Sequence, residues 1–241
     1  MDYVTSLQGN TTPLKKLYQI GEAMANVGVP VVVGGSNNEG IALAATTTAV
    51  DLMGVTVDAQ AALVTAQQSD NSDPAREVTV IVDPSAVFKA KLTQGSTEDT
   101  ALTLFDVTTA SSDGLTVTTG DAWDSPTYDE GALWGFDGAN VGILRKITGV
   151  DGSAATVLVA LPNDTIVGDN FMRAPFMPGE AQFVQLSALL TQIDVSVQVD
   201  TDNNNFRVLE LLTRDQTQDG RNNSFALIVG YDSMWAAGAS V

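Results

Sequence analysis

The chain has 241 residues, 44% of them hydrophobic and 17% charged, a composition that suits one large or two small globular domains and excludes a disordered or fibrous polypeptide. Twenty-nine acidic residues against eleven basic ones leave a formal charge of −18. Among the scattered basic residues only Lys15-Lys16 and Arg145-Lys146 are adjacent, so neither nucleic acid nor an anionic membrane is expected as a partner.

The sequence contains no Cys and no His. That excludes Ser-His-Asp and Cys-His catalysis, disulfides, thiolate zinc sites and imidazole metal or haem ligation, and leaves carboxylate, Lys or Tyr chemistry, or none. No cofactor is expected. The start, Met1 to Thr5, lacks the basic and apolar regions of a secretory signal. The longest apolar stretch, around Val27 to Val33, is far shorter than the ~20 residues of a bilayer-crossing helix, so a soluble protein made in the cytoplasm is expected.

Taken from the N-terminus, the first ~16 residues are polar with Gly9 and Pro13 and read as an extended, flexible arm (1–16). Leu14 to Asn26 suits either a short amphipathic turn or a strand. The Gly-rich stretch Val33 to Gly40 lacks the Gly-Lys-Ser/Thr ending of a phosphate cradle and reads as a hairpin loop between strands at Val29–Val33 and Ile41–Ala44. These elements form a small β domain, 17–73, closed by the polar linker Gln67 to Pro74.

A second unit, barrel-like, spans 76–179 and ends in the breaker-rich run Pro175 to Glu180. Strand runs fall at Val78–Val82, Leu102–Val107, Leu115–Thr118 and Ala155–Leu161. They are punctuated by Asp113-Gly114, Asp137-Gly138 and Asp151-Gly152, pairs that supply the positive φ of tight turns. The remainder, 180–241, reads as a β segment returning to pack with the others. It has a strand favoured across Phe183–Ile193 and on into the alternating run Asp194 to Asp200, and further strands at Arg207–Leu211 and Phe225–Val229 around Asp219-Gly220. The predicted fold class is all-β: antiparallel strands in small barrel or sandwich domains, little helix and a flexible N-terminal arm.

Few groups suggest chemistry. Asp200 to Asn205 opens like a calcium loop, but Asn205 stands where that loop needs Gly and Leu211 where it needs a bidentate acid, so a polar turn is the better reading. Asp121, Asp124, Asp129 and Glu130 lie near Trp123, Tyr128 and Trp134, a set that suits sugar binding or hydrolysis by paired carboxylates. The competing reading is a solvated loop followed by a core Trp134. The Asn-x-Ser/Thr matches at Asn10, Asn163 and Asn222 carry no weight without a secretion signal.

Three stretches resemble structural proteins of tailed bacteriophages. Gly21–Ala23, Val29–Val33, Gly40–Ala44 and Gly54–Val57 resemble a β module of head decoration proteins. Trp134–Thr148 with Val167–Pro175 resembles β-barrel modules of marine phage virions, and Asn205–Leu211 with Gly220–Val229 resembles the closing strands of the same proteins. The ending Tyr231 to Trp235 departs from the polar or His-containing turn of such tails, so no role of that turn carries over. The resemblance implies a non-enzymatic cement or decoration protein on the exterior of a capsid, with the major capsid protein as partner and a homo-oligomer, a trimer at local three-fold axes, as the unit. A tail, adaptor or fibre component of the virion is the alternative within that setting, and the sugar-directed β protein the alternative outside it. The arm residues Thr5, Leu7, Leu14, Lys15 and Lys16 are the expected capsid contact.

Overall fold

The computed structural model describes residues 1–7, 12–20, 26–34, 40–43, 52–59, 77–83, 85–93, 102–123, 131–174, 177–178, 183–184, 191–194, 206–212 and 225–230. Within them the protein is all-β, with a single 3-10 turn at Gly138–Asn140 as its helical element among the described residues. Three β units share the strands.

The central unit is a closed six-stranded barrel of β8 (Leu104–Thr109), β9 (Thr116–Thr119), β10 (Ala132–Gly135), β11 (Leu144–Asp151), β12 (Ala154–Val157) and β13 (Asn170–Ala174). Around the wall the order is β8-β9-β12-β11-β10-β13, with β13 closing onto β8 and all pairs antiparallel. The Asp-Gly pairs do what their chemistry requires, since Gly114, Gly138 and Gly152 all have positive φ. Period-2 alternation then fills a barrel this small with side chains: Phe105, Val107, Val117, Leu133, Ile147, Ala155, Val157 and Phe171 form one buried cluster.

On β8 and β12 the outward residues, such as Asp106, Thr108 and Thr156, meet solvent. On β10 and β13 they do not. Ala132, Trp134, Met172 and Ala174 are buried in a second cluster that also holds Ala86, Phe88, Ala90 and Leu92. One flank of the barrel is therefore core on both faces, which explains why Ala132 to Gly135 is apolar without alternation.

That second cluster rests on a six-stranded sheet built from distant segments: β1 (Asp2–Ser6), β7 (Ala86–Thr93), β17 (Phe225–Gly230), β16 (Phe206–Leu212) and β14 (Phe183–Val184) in spatial order, with β15 (Gln192–Asp194) also on β7. β7 is its hub. Its N-terminal half pairs with β1, its C-terminal half pairs in parallel with β15, and β17 lies along its other edge. The third unit, β2 (Lys15–Gln19), β6 (Glu77–Ile81), β5 (Leu52–Thr56), β3 (Pro30–Gly34) and β4 (Gly40–Leu43), is a five-stranded antiparallel sheet. It curls until its edge strands β2 and β4 approach within 8 Å between Cα atoms, and Ile20, Val31, Val78, Val80 and Val82 fill the concave side.

Four expectations change. Residues 1–16 are not a free arm: β1 is paired to β7, and Tyr3 packs edge-to-face on Phe88 with ring centroids 6.2 Å apart. The physical reason is burial on alternate residues, since Tyr3, Thr5 and Ser6 turn inward while Asp2 and Val4 stay exposed. Secondly, β6 and β7, assigned by sequence to the 76–179 barrel unit, belong to the two sheets, and the barrel strands run from Leu104 to Ala174. Thirdly, the strand expected over Ala155–Leu161 ends at Val157, where the chain turns across the barrel mouth. Lastly, β15 pairs in parallel, because it reaches β7 by a crossover and not by a hairpin. The Leu14–Asn26 ambiguity resolves to the strand β2, and the Gly-rich hairpin joins β3 and β4 in the register Gly34↔Gly40. The linker at 67–74, the run Val195 to Asp200 and Asp219-Gly220 lie outside the described residues.

Candidate functional site: two exposed apolar surfaces

The residues expected at a capsid contact sit around the short β6–β7 connection. The Leu7 amide donates to the Ser85 carbonyl at 2.7 Å, and the Leu14 carbonyl accepts from the Val82 amide at 2.9 Å, so residues 82–85 hold the two leucines at their two ends. Both are more than half exposed, at 63% and 55%. Lys15 and Lys16, also exposed, follow on β2 opposite Ile81 and Val80, while Thr5 is half-buried on β1 opposite Val87. Val4, Leu17 and Val27 are further exposed apolar residues on these N-terminal segments. The strip is of mixed charge, with Asp2 exposed and Asp83 half-buried; the Asp83 carboxylate accepts from the Ser85 amide and hydroxyl at 2.9 and 2.6 Å. Beside it the Tyr3 phenol is pushed above its ordinary value, first by desolvation and then by the charge on Asp83.

The acid-and-aromatic cluster offers no platform for a sugar through its tryptophans, and this corrects the carbohydrate reading. Trp123 is fully buried, stacked on Phe105 at 5.3 Å, with its indole N–H donated to the Ser153 carbonyl at 2.9 Å. It plugs the barrel end from which the chain enters and leaves. Trp134 lies on the other side of the wall in the shared core. The two rings thus belong to separate cores, while Asp124, Tyr128, Asp129 and Glu130 lie outside the described residues. Beside Trp123 the buried Arg173 guanidinium sits 3.5 Å from the Phe105 ring centre and donates to the Ala122 carbonyl at 2.6 Å. Sequence reading gave no signal for this inward arginine, because β13 alternates with a cation at an inner position. Asp200 to Asn205 lies outside the described residues.

Sequence reasoning missed a second surface, at the opposite end of the barrel. With all strands antiparallel, the β8–β9 (110–115), β10–β11 (136–143) and β12–β13 (158–169) connections emerge together there. Hydrogen bonds weld them into one crown. Ser111 and Thr165 exchange backbone bonds at 3.1 and 3.0 Å, and the Leu161 amide donates to Gly114 at 2.8 Å. The fully buried Asn140 side chain donates to the Asn163 carbonyl at 3.0 Å and accepts from its amide at 3.2 Å, and the Asn163 side chain donates to Ala139 at 2.8 Å. Outward from this polar seal project Leu115, Val141, Leu158, Val159, Ile166 and Val167, each 42–65% exposed. The available signal was the pair of apolar doublets, Leu158-Val159 and Ile166-Val167, flanking Pro162-Asn163-Asp164: turn chemistry around aliphatic residues that no strand needs.

The crown is purely acidic. Its loops carry Asp113, Asp137, Asp164 and Asp169 and no Lys or Arg. Asp137 is spent on Asn170, accepting from its amide and side chain at 2.7 and 2.9 Å, and Asp169 is buried. Asp113 and Asp164 are exposed. Hydrogen bonds from the Ser111 hydroxyl and the Leu115 and Thr116 amides hold the Asp113 carboxyl below its usual range. Among the described residues no group of three or more Asp or Glu is placed to hold a metal ion, and no helix is long and apolar enough to cross a membrane. No family model, no curated protein and no solved structure matches this chain.

Proposed function

We propose that the protein is a virion structural component, a decoration or cement protein that binds the outer surface of a phage head and stabilises the lattice of the major capsid protein. The observation that carries this reading is the N-terminal strip. Leu7, Leu14, Lys15 and Lys16 stand together on strand ends fixed by the β6–β7 connection, with Val4 and Leu17 extending the apolar surface. Aliphatic side chains held on a rigid sheet edge lose little entropy when covered, which suits docking. The phage resemblance of the sequence supports the setting. The acidic chain stays soluble before docking and avoids host nucleic acid.

The mechanism is mass action. A protein that binds the assembled shell and not its free subunits stabilises the shell by its binding free energy, summed over many copies. Since β1 is already paired in the fold, the strip docks as a preformed surface and not as an arm that orders on contact. Trimeric copies at local three-fold axes, and assembly from the host cytoplasm onto the capsid exterior, complete the proposal.

The test is occupancy on purified heads stripped of the protein. Leu7→Asp with Leu14→Asp, checked for unchanged melting temperature, is expected to lower occupancy at least tenfold, and Lys15→Glu with Lys16→Glu to lower it less. Unchanged occupancy in both variants would remove the strip from the contact. Density confined to the tail vertex would assign the protein to the tail or its adaptor instead.

A further inference from the structure

We infer that the barrel crown is a second protein-docking surface, the grip on a neighbouring shell subunit, and that it takes an aliphatic patch bordered by Lys or Arg side chains. This rests on the decoration reading above and deepens it.

A cement must hold two things, and a single contact strip holds one. The crown lies at the end of the barrel opposite the Leu102 entry and the Ala174 exit, the points at which the chain joins the other two units. Its six exposed aliphatic side chains together present on the order of 600 Å² of apolar surface, the upper end of what the largest patch of a monomer shows. Loops that merely close a barrel need no such display. Their inner side is already sealed by Asn140, Asn163, Thr165 and Leu161, so the outer aliphatic residues bury nothing within the chain. The cross-linked loops are also preorganised, which lowers the entropic cost of being covered.

Charge selects the occupant. The crown loops carry only carboxylates, with Asp113 and Asp164 exposed, on a chain of net charge −18. Crown-to-crown pairing of two copies would set these anions against each other, and an anionic lipid surface or nucleic acid is repelled in the same way. A protein surface with cationic groups around an apolar centre satisfies both features, and attraction between exposed charges of this kind weakens with salt.

The experiment uses the full chain and heads stripped of it, with two readouts: apparent affinity, and the temperature at which the shell opens. The crown variant is Leu158→Asp with Val167→Asp, both exposed positions, accepted only if it melts like the parent. It is expected to bind at least tenfold more weakly, still through the N-terminal strip, and to leave the shell opening close to the temperature of undecorated heads. Asp164→Lys is expected to weaken binding by a smaller factor and to flatten its salt dependence. A crown variant that binds and protects like the parent overturns the crown assignment and leaves the decoration reading standing. Failure of the parent itself to bind stripped heads overturns that reading and the occupant with it. Sedimentation of the parent with phosphatidylcholine vesicles, lost in the crown variant, would overturn the protein occupant in favour of lipid.

Discussion

The barrel and the six-stranded sheet are built from the same β chemistry by opposite routes. All six barrel strands come from one unbroken stretch, Leu104 to Ala174, and three of the wall contacts are simple hairpins. The sheet gathers β1 near residue 2, β7 near residue 90 and β17 near residue 228, so its ladder closes loops of more than a hundred residues. Loop-closure entropy favours the first arrangement kinetically, and the barrel is expected to form before the sheet that packs on its flank. The lesson is that β10 and β13, buried on both faces, couple a locally specified unit to one that only the finished chain can specify.

The sharpest way to break this comparison is to remove a tryptophan from either side of the wall. Trp123→Ala empties the barrel interior beneath Phe105 and Trp134→Ala empties the shared core, and each is expected to cost about 3–5 kcal/mol. The transitions should differ. Trp123→Ala lowers the stability of the barrel and of the sheet that rests on it, and denaturant unfolding followed by far-ultraviolet circular dichroism stays a single step. Trp134→Ala loosens the joint, so the sheet unfolds first and two steps appear. A single step in Trp134→Ala would show that the two units are not separable in this way.

Gly135→Ala tests the crown from inside the barrel. A Cβ there would run into the Asn140 carbonyl oxygen, a backbone atom that cannot step aside without moving the turn. About 1–3 kcal/mol of destabilisation is expected in a chemical melt, with faster hydrogen exchange at Gly142, whose amide donates to Gly135 at 2.8 Å. Asn140→Ala leaves the Asn163 amide and carbonyl without their side-chain partner in a buried position, at an expected cost of about 1–3 kcal/mol. It should free the 158–169 loop to exchange while the sheets stay protected. Exchange rising equally in β1 and β7 would deny the crown its independence.

These two regions also differ in how far their sequences could be read. In the barrel, Asp113-Gly114, Asp137-Gly138 and Asp151-Gly152 mark real turns, and Val117 between threonines marks an inner position, because local backbone chemistry decides both. β7 gave no comparable sign: Ala-Val-Phe-Lys-Ala-Lys-Leu-Thr is buried on both faces at its start, and partners from both ends of the chain decide its role. For the same reason Asp2–Ser6 read as an arm, since nothing near it in sequence announces the Phe88 face it covers. At the candidate surfaces, Leu7, Leu14, Lys15 and Lys16 were legible as exposed, but the crown was not. A loop aliphatic shows itself as surface only once the hydrogen bonds beneath it, such as Asn140 to Asn163, are seen to close the core without it.

The smallest expected effect separates charge from shape within the crown. Asp113 accepts from the Ser111 hydroxyl at 2.8 Å and from the Leu115 and Thr116 amides at 2.8 and 3.1 Å, and these bonds favour the ionised form, so its folded-state value lies below the ordinary 3.8. A group whose folded value is depressed stabilises the fold above its unfolded value and loses that contribution as pH falls through the folded one. Asp113→Asn keeps an acceptor of the same shape and removes the charge. Thermal melts from pH 7 down to about 2 should therefore show the parent more stable at neutral pH, with the difference shrinking below the ordinary carboxylate value and closing in strong acid. A difference that persisted unchanged at the acid end would mean that the turn at 111–116 depends on hydrogen-bond geometry alone. The anion at the crown rim would then contribute to what the crown binds and not to how its loop is held.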